Sequence, residues 1–184
     1  RHVFNQVFLE NVRVPVADRV GAEGQGWEIA KYLLGHERSN ASWISICKRT
    51  LSKLKQVAAA EQAAGRPLIE DDGFRQKIGD LELTSLRELA HAAADQPVGA
   101  EASMLKLRTA EIYKRVNELL MEAGGWYAHP FEPNAIRGGW NEKPVGPDHL
   151  FRMAPDYFEA RCMSIAGGSN EIQKNILAKA VLGL

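Results

Sequence analysis

Gly167-Gly168-Ser169-Asn170-Glu171-Ile172-Gln173-Lys174-Asn175-Ile176-Leu177 is a turn that opens a helix. The paired glycines permit positive φ and a close approach of backbone to another group. Ser169 is a good N-cap, and the first amides of the helix point outward with partial positive charge. Such an end can take a phosphate or a carboxylate, although a Gly-Gly-Ser taken alone is ordinarily just a capped helix after a tight turn. Ile172, Ile176, Leu177 and Ala180 form an apolar repeat along this helix.

Working back from that turn, the helical period continues. A helix is expected from about Asp148 to Ser164. Before it lies a stretch, 126–146, rich in Trp, Pro, Gly and Asn, which reads as a long ordered loop of the functional or interface kind. The preceding helix runs to Gly124-Gly125 with Leu105, Ile112, Val116, Leu119 and Ala123 inward. Another carries Phe74, Ile78, Leu81, Ser85 and Leu89 on one stripe, is capped by Asp71 or Asp72, and breaks at Pro97-Val98-Gly99. A further long helix places Trp43, Cys47, Leu51, Leu54 and Ala58 at spacings of three and four and stops near Gly65-Arg66-Pro67. A short one, Trp27 to about Gly35, follows Gly24-Gln25-Gly26. Residues 3–14 mix alternation with β-formers and read as extended, up to Pro15. One or two strands are not stable alone, so this segment resembles the torn edge of a sheet. The fold class is therefore all-α, an antiparallel four-helix bundle with additional short helices and a short N-terminal β segment.

Composition narrows the function. The chain has 184 residues, enough for one substantial core, and 45% hydrophobic with 25% charged residues is typical of a globular protein. Acidic and basic residues balance at 23 each, so no basic excess favours nucleic acid or an anionic membrane surface. No apolar run is long enough to span a bilayer and the N-terminus carries no signal-peptide pattern. The only cysteines, Cys47 and Cys162, lack metal or disulfide spacing, which suits a reducing cytoplasmic setting. Glu88-Leu89-Ala90-His91 matches the Glu-x-x-His of di-iron bundles once, without a second copy, so no metal is expected. His36, Ser39 and Ser42 lack a nucleophile elbow and an acid partner. Gly21, Gly24 and Gly26 do not fit a dinucleotide fingerprint and read as a linker. Glu37-Arg38 sits at the junction of the short and long helices. Such charges are by default exposed, yet a carboxylate desolvated in a cleft there could serve as a general base.

Taken in order, several stretches resemble the acyl-CoA dehydrogenase family. They are Phe4 to Pro15, Val20-Gly21, Gly24-Gln25-Gly26-Trp27, Glu37-Arg38, Gly65-Arg66-Pro67-Leu68, Ala102-Ser103-Met104-Leu105-Lys106, Gly124-Gly125 and Gly167 to Gln173. The resemblance covers nearly the whole chain. It implies that residues 1–20 are a remnant of the middle β-domain and that 21–184 are the C-terminal helical bundle. It implies FAD between those two domains, and removal of an α-proton and a β-hydride from an acyl-CoA. Electron transfer flavoprotein would reoxidise the flavin, and the assembly would be a homo- or hetero-oligomer, dimer or tetramer.

The same resemblance assigns residues. Most members place the catalytic glutamate directly before the Gly-Ser or Gly-Thr of the terminal turn. Here that position is Gly167, which cannot accept a proton. Some members use a glutamate on the long helix immediately before an arginine, so Glu37 is the candidate base and Arg38 would place the acyl-CoA. Gly124, Gly125, Gly168, Ser169 and Glu171 stand at cofactor-contacting positions. Glu61 and Ala64 replace an arginine and a phenylalanine that grip a neighbour's FAD, and Met121 replaces a glutamine. A non-catalytic partner subunit and a helical association domain without cofactor are therefore the alternatives.

Overall fold

The structure is a computed structural model, and it describes residues 5–37, 42–93, 100–136 and 140–184, with no side-chain detail for 35–37, 42–43 and 85–93. Its helices are α1 (Gly26–Glu37), α2 (Ser42–Ala60), α3 (Asp72–Ala93), α4 (Ala100–Gly124), α5 (Pro133–Ile136), α6 (Met153–Ala160) and α7 (Asn170–Leu177). Two short strands, β1 (Gln62–Ala63) and β2 (Arg66–Pro67), pair antiparallel between α2 and α3. The all-α bundle expected from the periodicity is the observed fold.

α4 is the central helix and packs against α2, α3, α6 and α7. That position explains its sequence. Most of its circumference is buried, including Ala102, Leu107, Ala110, Ile112, Val116, Leu119, Leu120 and Ala123. Outer helices need only one apolar stripe. α2 supplies Cys47, Leu51, Leu54 and Ala58, and α3 supplies Phe74, Ile78 and Leu81, all in one core with Leu150 and Met153. Ser85 and Leu89 of the expected α3 stripe, and Trp43 of α2, have side chains outside the described residues, and Pro97-Val98-Gly99 lies outside them entirely. Asp71 does cap α3: its carboxylate accepts from the Phe74 amide at 2.8 Å.

Cys47 is buried, with its Sγ 3.5 Å from the Thr109 carbonyl oxygen. Burial pushes its thiol up to about 12, overriding a backbone hydrogen bond that acts the other way. Cys162 is only partly buried, and burial followed by the Glu159 charge raises its thiol as well. A maleimide at pH 8 should therefore label Cys162 slowly on the folded chain and spare Cys47 until denaturant is added, as read by peptide mass mapping. Equal labelling of both thiols under native conditions would contradict the packing of α2 on α4.

Four local expectations change. α2 ends at Ala60, and Gly65 is not its cap. Ala64 (φ 51°) and Gly65 (φ 80°) are instead the two central residues of a tight hairpin, where a turn with both φ values positive matches the strand twist. The helix expected over 148–164 is broken into a 3-10 turn (Asp148–Leu150), α6 and a second 3-10 turn (Arg161–Ser164). Pro155 explains the start of α6, because proline lacks an amide donor and is tolerated only in a helix's first turn. Residues 5–15 enter no helix and no strand ladder, and Val7, Phe8, Leu9, Val12 and Val14 are exposed. Among the described residues the expected β segment therefore joins no strand ladder. The two-stranded pairing seen among the described residues is the hairpin at 62–67.

The fourth change concerns α7. Its apolar repeat is only partly its inner face: Ile176 and Leu177 are half-buried there. Ile172 is 52% exposed and Ala180 lies on the surface, while Asn170 and Gln173 are buried. Two bonds set that rotation. Gln173 Nε2 reaches back to the Gly167 carbonyl oxygen at 3.0 Å, and Asn170 Oδ1 accepts from Lys106 Nζ at 2.8 Å.

In the described parts of the stretch after α4, aromatic rings pack against one another. Trp140 stacks on Phe151 with ring centroids 5.4 Å apart, and Phe131 meets Phe158 edge-on at 6.0 Å. These rings act as anchors for a segment that also contains α5 and a 3-10 turn at Gly125–Ala128.

Candidate functional site

Two turns carry the residues singled out in the sequence, one closing α4 and one opening α7. In the first, Gly124 ends α4 in helical geometry, and a Cβ added there would lie 2.8 Å from Ala128 Cβ and 3.1 Å from both Leu150 Cδ2 and Met153 Sδ. Gly124 is therefore glycine because the chain after it packs against its Cα. Gly124→Ala should lower stability by about 1–2 kcal/mol, overpacking outweighing the better helix propensity of alanine. Urea unfolding checks this, and an unchanged midpoint would show that Leu150 and Met153 can move aside at no cost. Gly125, with φ 51°, is different: an added Cβ would meet nothing within 4 Å.

The second turn repeats the contrast. At Gly168 (φ 89°) an added Cβ would sit 2.6 Å from Gln173 Nε2, so the protein fills that space itself. Gly167 (φ 67°) faces open space. Ser169 is the N-cap as expected, its hydroxyl accepting from the Ile172 amide at 3.4 Å. Glu171 is exposed in the first turn of α7, and its carboxyl is held below the usual range by its own backbone amide and then by the Ser169 hydroxyl.

Glu37 is the last described residue of α1, and α2 is described from Ser42, so the expected junction between the two helices lies outside the described residues. The side chain of Glu37 and the whole of Arg38 lie outside the described residues. Of the three positions expected to depart from flavin contacts, Glu61 is tied to His149, with Oε1 and Nε2 2.7 Å apart. Met121 is half-buried against the core, and Ala64 is in the hairpin turn. Among the described residues no group of three His, Cys, Asp or Glu side chains could hold a metal ion, and no helix is long and apolar enough to cross a membrane. Glu88 and His91 have side chains outside that description.

These observations test how a flavin would fit. Gly125 and Gly167 each present bare backbone to open space, which suits close approach of a flat group. Glu61 does not suit a diphosphate, since its carboxylate adds negative charge and is already paired. Two features escaped the sequence reading. One is a cleft of about 270 Å³ between α2, α4 and α6, lined in part by Arg49, Lys53, Tyr113, Asn117 and Asp156, with Lys53 Nζ 3.2 Å from Asp156 Oδ2. None of its lining residues belongs to the two glycine turns. The other is the part-buried polar contact between Lys106 and Asn170, for which a lysine spaced among apolar residues gave no distinctive signal.

Helices packed around α4, with glycine turns at 124–125 and 167–168, define a helical-bundle domain as a class. The chain belongs to the acyl-CoA dehydrogenase family: the family description "Acyl-CoA dehydrogenase, C-terminal domain" matches residues 24–182. It is 32% identical over 185 residues to acyl-CoA dehydrogenase IpdE1 of Mycobacterium tuberculosis, covering 98% of this chain and 44% of that protein. Its fold superposes on the glutaryl-coenzyme A dehydrogenase glutaryl-CoA complex with a TM-score of 0.74 at 20% identity, over 96% of this chain and 42% of the other. It also superposes on a chain of the ChsE4-ChsE5 complex from Mycobacterium tuberculosis with a TM-score of 0.72 at 26% identity, over 96% and 45%. The chain thus spans less than half the length of these relatives.

Proposed function

We propose that this chain is the C-terminal part of a flavin-dependent acyl-CoA dehydrogenase in which Glu37 removes the α-proton of the acyl-CoA. The observation that carries the reading is the family match over 24–182, combined with a terminal turn whose base position is Gly167. A glycine has no group to accept a proton, so the carboxylate has to come from elsewhere. Glu37 lies in the last described turn of α1 and carries the kind of group that can take such a proton. Arg38 follows it and would orient the thioester or the carboxylate.

FAD, when bound, supplies the acceptor for the β-hydride. On this chain the open backbone at Gly125 and Gly167, with Ser169 and Glu171 at the start of α7, would flank it, while Gly124 and Gly168 keep those turns in shape. The exposed Val7, Phe8, Leu9, Val12 and Trp27 would be covered by further chain in a protein of the relatives' length, of which this chain spans 44%.

A second reading has support of its own. Glu61, held by His149, and Met121 both depart from the family's flavin contacts, and the similar ChsE4-ChsE5 structure is a complex of two different chains. On that reading this chain is a partner subunit of a heteromer and the complete flavin site lies with the other chain. Anaerobic addition of acyl-CoAs to the purified longer protein separates the two. Bleaching of flavin absorbance supports the dehydrogenase; colourless protein after reconstitution with FAD supports the partner subunit.

A further inference from the structure

The stretch Ala102-Ser103-Met104-Leu105-Lys106 has so far no role, yet it contains the ammonium that reaches the start of α7. Lys106 Nζ donates to Asn170 Oδ1 at 2.8 Å across 64 positions of sequence. Asn170 is the first residue of α7 and is buried; Gln173, one turn later, is fully buried and holds the Gly167 carbonyl oxygen through Nε2. Ser169 caps the same turn. The surroundings are polar but sparsely satisfied: Ser103 Oγ, one helical turn before Lys106 on α4, and Gln173 Oε1 are buried without a hydrogen-bond partner among the described residues. A charged donor is strong under such conditions, because its loss leaves a buried acceptor unpaired.

We propose that Lys106 is a positioning residue that fixes the Gly167–Glu171 turn, and with it the backbone presented to the flavin. Lys106 acts through Asn170, which begins α7. Asn170 and Gln173 share the inner face, so the bond from Lys106 and the bond to Gly167 together lock the rotation of α7 and the exit of the turn. Burial lowers the proton affinity of the ammonium, the Glu171 charge opposes that shift, and Lys114 adds to it, so Glu171 helps keep Lys106 charged.

The flavin part of this inference rests on the function proposed above; the turn-fixing part does not. The test uses the longer protein with its cofactor, comparing Lys106→Met, Lys106→Arg and wild type. Native-state hydrogen exchange reads the turn directly. In Lys106→Met the amides of Ile172 and Gln173 should exchange roughly tenfold to a hundredfold faster, with α4 amides around Val116 unchanged, and Lys106→Arg should restore most of the protection. The visible flavin band should change shape in Lys106→Met and kcat should fall more than KM rises, with the same rescue by arginine. Unchanged exchange at Ile172 and Gln173 overturns the proposal, and so does equal loosening throughout α4 in both variants. If exchange behaves as stated while wild-type protein neither binds flavin nor turns over an acyl-CoA, Lys106 keeps its role in the turn and the proposed function fails.

Discussion

Glu37→Gln should lower turnover of an acyl-CoA by about 100- to 10,000-fold while flavin stays bound. Glutamine keeps the size of the side chain and removes its ability to accept a proton, and positioned acid–base groups contribute about that factor. No carboxylate at position 167 can compensate, because Gly167 occupies it. Glu171, four residues on, is an exposed first-turn residue of α7 whose carboxyl is already held below the usual range, which makes it a poor base near neutral pH. The measurement is kcat under saturating acyl-CoA with an artificial electron acceptor, alongside the flavin spectrum. Full activity in this variant would remove Glu37 from the mechanism. Loss of the flavin itself would instead assign Glu37 to cofactor or fold integrity.

The largest effect on stability should come from the centre of the bundle. Leu119 of α4 is fully buried in the core cluster with Leu54, Val116 and Leu120. Leu119→Ala removes that burial and leaves a cavity, at a cost of about 2–5 kcal/mol. In a domain of this size the unfolding midpoint should fall by roughly 2–4 °C for each kcal/mol. Leu83 of α3 is 65% exposed and serves as the control: Leu83→Ala should shift stability by no more than about 0.5 kcal/mol. Similar losses in both variants would show that α4 is not the helix on which the others pack. Surface ion pairs such as Arg75–Asp72 offer no comparable lever, since exposed pairs contribute little.

The helices were legible in the sequence because apolar spacing is a local record of which face is buried. Cys47, Leu51, Leu54 and Ala58 are one stripe whatever they pack against, and Phe74, Ile78 and Leu81 are another. Asp71 and Ser169 were legible as caps for the same reason, since a side chain three residues from an unpaired amide is enough. The apolar repeat of α7 holds at half-buried Ile176 and Leu177 but not at exposed Ile172, because Lys106 and Gly167 bond to Asn170 and Gln173, and no local period reports those bonds. The hairpin at Gln62–Pro67 was misread as a cap because glycine serves both turns equally well.

The candidate site divides in the same way. From sequence alone came the family resemblance, the absence of a carboxylate at Gly167 and the choice of Glu37, all of which depend on residue identity at ordered positions. Tertiary structure alone separated the glycines that serve packing, Gly124 and Gly168, from those that face open space, Gly125 and Gly167. It also showed Glu61 engaged by His149 and Lys106 anchored under the terminal turn. Glycine looks the same in every sequence; what would meet its missing Cβ depends on chains that arrive from far along the polypeptide, and only the folded bundle brings them there.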